Sequence, residues 1–425
     1  MLCNGTDTAS STRPASGAFA RPRQRPNAKR WLAALPLALV AGFTFNGTAP
    51  AGITPENPSG LVAPQAEGRW SAGQAKDLLD LVEQSEAEGL NPADYNVDAL
   101  RAAVNARQQG PALDALANAS ALRLAHDFAD GRIEDKAQFD WHIAPPVDAN
   151  LIASGLNDAL DRDRLGQWLR GLLPDNDQYR ALRAAYADAR GDEPLRAQLR
   201  ANLERWRWMP RDLGDRYIYV NVPSYRLSVM NDGIEEAGYN VVVGSPKTPT
   251  PQLALHAQSV VANPTWTVPQ SILKTGGLRG KGFTYTRNGD GSVRAVQAPG
   301  PTNALGRIKI DMPNPHAIYL HDTPNRSVFS RENRALSHGC VRVQNIQELA
   351  ALLQGGDGLG EALATPAKTR VFQLEKSVPV YLVYFTAQAE ADGTIRYIGD
   401  PYGRDQALLQ RLGKPASSIV QMAAR

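Results

Sequence analysis

Residues 318–345 read IYLHDTPNRSVFSRENRALSHGCVRVQN. A run with strand character, IYL, ends at His321. A second, CVRV, begins at one of only two cysteines in 425 residues. A thiol kept for packing behaves as a small hydrophobe and is expected among apolar neighbours. Cys340 instead stands between Gly339 and a basic run, with Ser337 and His338 just before it. Nucleophilic cysteine chemistry needs a thiolate, a base to take and return its proton, and backbone N–H groups aimed at a developing oxyanion. Each has a candidate here. Cys340 supplies the sulfur, and His321, at a strand end, is placed to reach a loop at the same end of a sheet. Gly339 permits a tight backbone, so that the amides of Gly339 and Cys340 can turn toward one point. Arg342 falls on the cysteine's own face if CVRV is extended, where a cation lowers a thiol pKa or holds a carboxylate. A zinc site from His316, His321, His338 and Cys340 is the rival reading. Its spacing lacks the C-x-x-C pair of structural zinc sites and the paired helical histidines of catalytic ones.

Working outward, the neighbourhood of this stretch is β-rich. RYIYVNVPSYRLSVM, the turn NDG and YNVVVGSP predict an opening β-hairpin. Further strands are predicted at QSVVANPTW, RIKIDM, HAIYLHD, TRVFQL and VPVYLVYFTA. The glycine-rich segment at about 274–303 interrupts them and reads as a lid or binding loop. These runs define a catalytic module over 210–386, followed by a C-terminal extension, 387–425. From 55 to 205 the periodicity is helical instead. AGQAKDLLDLVEQSEAEG stops at Gly89, ALDALANASALRLAHDFADG stops at Gly131, and LRAQLRANLERWRWM forms a third helix. His126 lies on the second and reads as a structural histidine.

A hydrophobic share of 43% with 21% charged residues is globular, and the net charge of +3 is dispersed. There is no cationic stripe of the kind that tracks nucleic-acid phosphates, so no nucleic-acid partner is expected. Residues 1–51 read as a signal peptide or an uncleaved anchor. Arg21, Arg23, Arg25, Lys29 and Arg30 precede WLAALPLALVAGFTF, and Ala49 and Ala51 give an A-x-A cleavage site. The apolar run is short for a spanning helix and Pro36 interrupts it. Cys3 would leave with this segment. Cys340 is then the only thiol of the mature chain, in a compartment where an unpaired cysteine needs a reason.

SHGCVR, with fifteen residues between His321 and Ser337, resembles the signature of the L,D-transpeptidase (YkuD-type) catalytic domain. Arg342 stands where many members carry Asn, which is similar to the large, multidomain, periplasmic Gram-negative branch. NLERWRWMP, GSPKTPTP, NPTWTVP, PGPTNALGRIKI and PNPHAIYLHDTP resemble the same branch. The likeness is close over 202–405 and looser over 68–144. It implies an α+β multidomain chain, with a mostly β YkuD-type catalytic sandwich carrying a lid-like insertion and an all-helical N-terminal scaffold domain. The small peptidoglycan-binding module common in that branch looks absent or heavily reduced, since only residues 151–200 fill its place.

The resemblance further implies a periplasmic acyltransferase that needs no cofactor and no metal. Its substrates would be peptidoglycan stem peptides, joined by 3-3 cross-links with release of D-alanine, and peptidoglycan synthases are candidate partners. Cys340 would be the nucleophile and His321 the general base and acid. The amides of Gly339 and Cys340 would form the oxyanion hole, Ser337 and Arg342 would organise the site, and His338 would support the thiolate. Trp266, Asn303 and Tyr319 are candidates for substrate contact. Hydrolysis of wall peptides or wall-linked lipoprotein by the same machinery remains open, as does an inactive wall-binding protein.

Overall fold

The computed structural model describes residues 70–274 and 282–413. The signal segment, seven residues of the expected lid and the last twelve residues lie outside that range. Seven helices come first: α1 (Ala72–Gln84), α2 (Val97–Asn105), α3 (Pro111–Asp130), α4 (Ala149–Asp161), α5 (Leu165–Gly171), α6 (Asp177–Asp188) and α7 (Glu193–Trp208). Their ends follow local chemistry. Ser71 and Gln74 form a capping box at α1, and Gly89 takes a left-handed φ of 74° where the chain leaves that region. Asp192 accepts the Leu195 N–H to start α7.

Helix α7 is the central element of this half. Everything from Leu199 to Trp208 on it is buried except Arg200. It carries charge inward on paired groups, although Arg205 Nη2, Trp206 Nε1 and Arg207 Nε are buried without a hydrogen-bond partner among the described residues. Arg207 pairs with Glu204 at 2.5 Å, and Glu204 also accepts the Ile133 N–H at 3.0 Å and the Trp208 indole N–H at 3.1 Å. Burial opposes ionisation of Glu204, but Arg207 outweighs it and holds the carboxyl below its ordinary value. His126 is partly buried against Asp127 at 3.2 Å, the structural role expected of it.

The β-rich half contains β1 (Arg216–Asn221), β2 (Arg226–Asn231), β3 (Ile234–Gly244), β4 (Leu253–Ala262) and β5 (Trp266–Thr267), then α8 (Gln270–Lys274). After these come β6 (Phe283–Arg287), β7 (Val293–Gln297), β8 (Ile308–Asp311), β9 (Leu320–His321), β10 (Ala335–Ser337) and β11 (Val341–Val343). Helices α9 (Ile346–Gln354) and α10 (Leu359–Ala364) lead to β12 (Arg370–Val383), β13 (Ala387–Ala389), β14 (Ile395–Tyr397) and α11 (Arg404–Leu412). The main sheet has the order β10-β3-β11-β9-β8-β4-β12-β1-β2, and β2 pairs β3 as well. The two faces of the expected sandwich are therefore joined into a closed circuit, with β10 as a branch on β3.

Strands β1 and β12 separate two cores by simple alternation. Ile218, Val220, Val380 and Leu382 face one core with α9, whereas Tyr217, Tyr219, Tyr381 and Val383 face another with α6, α7 and α11. The predicted strands TRVFQL and VPVYLVYFTA are one strand, β12, with a register shift between Gln373 and Val378. Much of the expected lid is ordered as well: β6 and β7 form an antiparallel hairpin that pairs with β5. The extension after residue 386 is integral, since Ala387, Leu408 and Leu412 belong to the core around α7.

Candidate active site

The sheet brings the quoted stretch together. Strands β9 and β11 are parallel neighbours with Val341 beside Leu320 and Arg342 beside His321. On the other side of β9, Lys309 of β8 lies opposite His321. Directly paired residues share a face, so His321 sits between two cations. Cys340, two residues before Arg342, projects to that same face next to Tyr319. A cavity of about 330 Å³ opens there, lined by Cys340, His321, Arg342, Tyr319, Trp266 and Ser337 among others.

The loop 337–340 is closed by one side chain. Ser337 Oγ donates to Cys340 O at 2.6 Å and accepts the Gly339 N–H at 3.1 Å. Gly339 has φ +113°, a conformation other residues rarely adopt, which is why glycine precedes the cysteine. The expectation that both amides face one point is thus corrected. The Gly339 N–H is committed to Ser337, and the Cys340 N–H is the amide left without an acceptor among the described residues.

His321 is 5% exposed, and its Nδ1 lies 2.5 Å from the carbonyl oxygen of Asp322. The carbonyl can only accept, so Nδ1 carries the proton and Nε2 is left as the basic nitrogen. Burial, then the Arg342 charge, lower its pKa to about 3 against the opposing pull of the Asp322 and Leu305 carbonyls. The imidazole is therefore neutral at any physiological pH. Burial pushes the Cys340 thiol up, while Tyr319, Lys309 and Arg342 pull it down without prevailing. The resting pair is a thiol and a neutral imidazole. Their side chains are not hydrogen-bonded to each other; Sγ instead faces Ala317 O at 3.5 Å. Ala317 is held at φ +53°, within a turn whose amides at His316 and Ile318 both donate to Asn314 Oδ1.

Arg342 lies in the cavity with its Nε buried and without a hydrogen-bond partner among the described residues. Tyr319 packs edge-on against the His321 ring at 5.6 Å, and Lys309 Nζ lies 4.7 Å from the centre of the Tyr319 ring. Burial and the neighbouring Cys340 charge raise the Tyr319 phenol. Trp266 also lines the cavity. Asn303 does not: it is fully buried, donates to the Pro264 and Ala298 carbonyls, and accepts the Leu305 N–H at 2.8 Å. Its role is to fold the loop before β8, and the expectation of substrate contact is corrected. His338 lines the cavity but is exposed at its rim. At the opposite rim His316 meets His142 of the helical half, ring centres 4.6 Å apart.

Sequence reading missed Lys309, Ala317 and Thr250, whose hydroxyl lies 2.7 Å from Gly339 O. Lys309 was findable, because RIKIDM and HAIYLHD were both predicted strands. Which strands are neighbours is a tertiary fact.

Comparison with known proteins accords with this geometry. The L,D-transpeptidase catalytic domain (YkuD) matches residues 215–377, and the Scaffold domain matches residues 65–185. A curated protein of Haemophilus influenzae, named "Putative L,D-transpeptidase", is 31% identical over 283 residues, which are 59% of this chain and 57% of the relative. The chain thus spans little more than half the length of that relative. The solved catalytic domain of the Enterococcus faecium L,D-transpeptidase acylated by ertapenem is 17% identical, covering 40% of this chain and 97% of its own, with a TM-score of 0.23. An L,D-transpeptidase from Mycobacterium smegmatis is 15% identical, covering 40% of this chain and 58% of its own, at the same score. Its two matched stretches give the chain a YkuD-type L,D-transpeptidase catalytic domain following a Scaffold domain.

Proposed function

We propose that the chain is a periplasmic acyltransferase that forms 3-3 cross-links between peptidoglycan stems through a Cys340 thioester. The observation that carries this reading is the placement of a thiol, a neutral buried imidazole and a guanidinium with a buried, unpartnered Nε on one cavity face. The donor carbonyl, between diaminopimelate and the terminal D-alanine, lies over Sγ. The thiol turns from Ala317 O toward His321, and Nε2 takes its proton as sulfur adds to the carbonyl. The Cys340 N–H holds the oxyanion. Collapse breaks the C–N bond, and His321 returns the proton to the departing D-alanine amine. The acceptor amine then attacks the thioester, His321 takes its proton, and the thiol is regenerated. Arg342 offers a charge for a substrate carboxylate. Water in place of the amine would make the same site a hydrolase.

Incubating the chain with purified disaccharide tetrapeptide tests this. The expected products are a transient adduct on Cys340 that has lost one D-alanine, followed by 3-3 cross-linked dimer. Cys340→Ala should abolish both. Tripeptide alone would identify a hydrolase, and no Cys340 adduct would overturn the mechanism.

A further inference from the structure

We propose that Thr250, itself held by Tyr402 of the C-terminal segment, is a positioning residue that aims the Cys340 N–H into the cavity as the oxyanion donor. This rests on the reading of Cys340 as nucleophile.

Consider the three peptide units around the cysteine. Ser337 Oγ holds the one before Gly339, through the Gly339 N–H, and the one after Cys340, through the Cys340 carbonyl. The unit between them, Gly339 C=O with Cys340 N–H, is fixed elsewhere. Its carbonyl accepts the Thr250 hydroxyl at 2.7 Å. The direction is unambiguous. Gly244 N–H donates to Thr250 Oγ1 at 2.9 Å, so the single hydroxyl proton is free for Gly339 O. A trans peptide is planar, with C=O and N–H pointing opposite ways. Anchoring Gly339 O beneath the loop therefore turns the Cys340 N–H to the other side, that of the cavity. The tether matters because glycine can rotate this unit more freely than any other residue.

Thr250 is fully buried and held in turn. Tyr402 donates its hydroxyl to Gly244 O at 2.5 Å and accepts the Thr250 N–H at 3.3 Å. The Tyr402 ring stacks on Tyr384 at 5.4 Å, and the Arg404 guanidinium lies against both rings and pairs with Asp140 at 2.8 Å. Gly244 is a glycine of necessity, since a Cβ there would lie 2.3 Å from Thr248 O and 2.5 Å from Thr250 N. The aim of the oxyanion donor thus depends on residues beyond 377, outside the matched catalytic domain.

Two reactions of the same thiol separate aim from integrity. Acylation by a carbapenem develops an oxyanion, whereas alkylation by iodoacetamide displaces iodide without one. Both rates are measured by intact mass on the full chain for wild type, Thr250→Val, Thr250→Ser and Tyr402→Phe. Thr250→Val should slow acylation roughly 10²-fold, the usual scale for an oxyanion donor, and leave alkylation nearly unchanged. Thr250→Ser, which keeps the hydroxyl, should restore acylation, and Tyr402→Phe should fall between. Wild-type acylation by Thr250→Val, or equal loss of both reactions, would overturn the proposal. A wild-type chain that takes no acyl group on Cys340 would instead overturn the nucleophile assignment beneath it.

Discussion

Lowering the pH should unfold this protein through one buried ring. His321 titrates near 6.5 in an unfolded chain and at about 3 in the folded one. Between those values the unfolded state binds a proton that the native state refuses, so stability falls as pH falls. From pH 7.5 to 4.5 the unfolded ring passes from almost fully neutral to almost fully charged while the native ring stays neutral. At about 1.4 kcal/mol per unit of difference, this site alone removes about 3 kcal/mol over that interval. Other groups titrate there too, so the measurement is a difference between proteins. Urea unfolding of wild type and His321→Gln is followed at both pH values. Glutamine can still donate to the Asp322 carbonyl but does not ionise. Wild type should lose about 3 kcal/mol more than the variant. Equal losses would mean that the native ring accepts its proton at an ordinary pKa, and the neutral-pair description of the site would fail.

Two further outcomes are expected. Since the ring is neutral down to about pH 3 and the thiol is held above its ordinary value, carbapenem acylation should vary less than about threefold between pH 5 and 8; an acid limb centred near 6.5 would refute this. Glu204→Ala leaves Arg207 buried and unpaired, so it should cost about 3–5 kcal/mol in urea unfolding without changing the alkylation rate of Cys340 in the folded protein, and a loss below 1 kcal/mol would contradict the buried pairing.

The chemistry of the site was more legible than its architecture. Cys340 and Arg342 share a face by alternation alone, and Ser337 is close in sequence, whereas His321 joins them only through the pairing of β9 with β11. Asn303 misled because polarity near a glycine-rich loop suits either a ligand contact or a loop brace. Its three buried contacts decide for the brace. The oxyanion role expected of the Gly339 amide, beside that of Cys340, failed for a similar reason: Ser337 competes for it, and a side chain folding back on its own loop leaves no trace in spacing. Tyr402 and Thr250 were out of reach because their meeting depends on β12 carrying the C-terminal segment past the helical half.

That strand has a consequence for how the chain comes to be folded. β12 lies between β1 and β4, and Ile218 of β1 lies beside Val380 in parallel register. The strand that begins the β-rich half must wait for β12, far later in the chain, before its outer edge is covered, and α7 must wait for α11 to complete its surroundings. Pairings so distant in sequence are slow to form. A polypeptide ending at residue 377 would cut β12 in mid-strand, losing the register with β1 altogether.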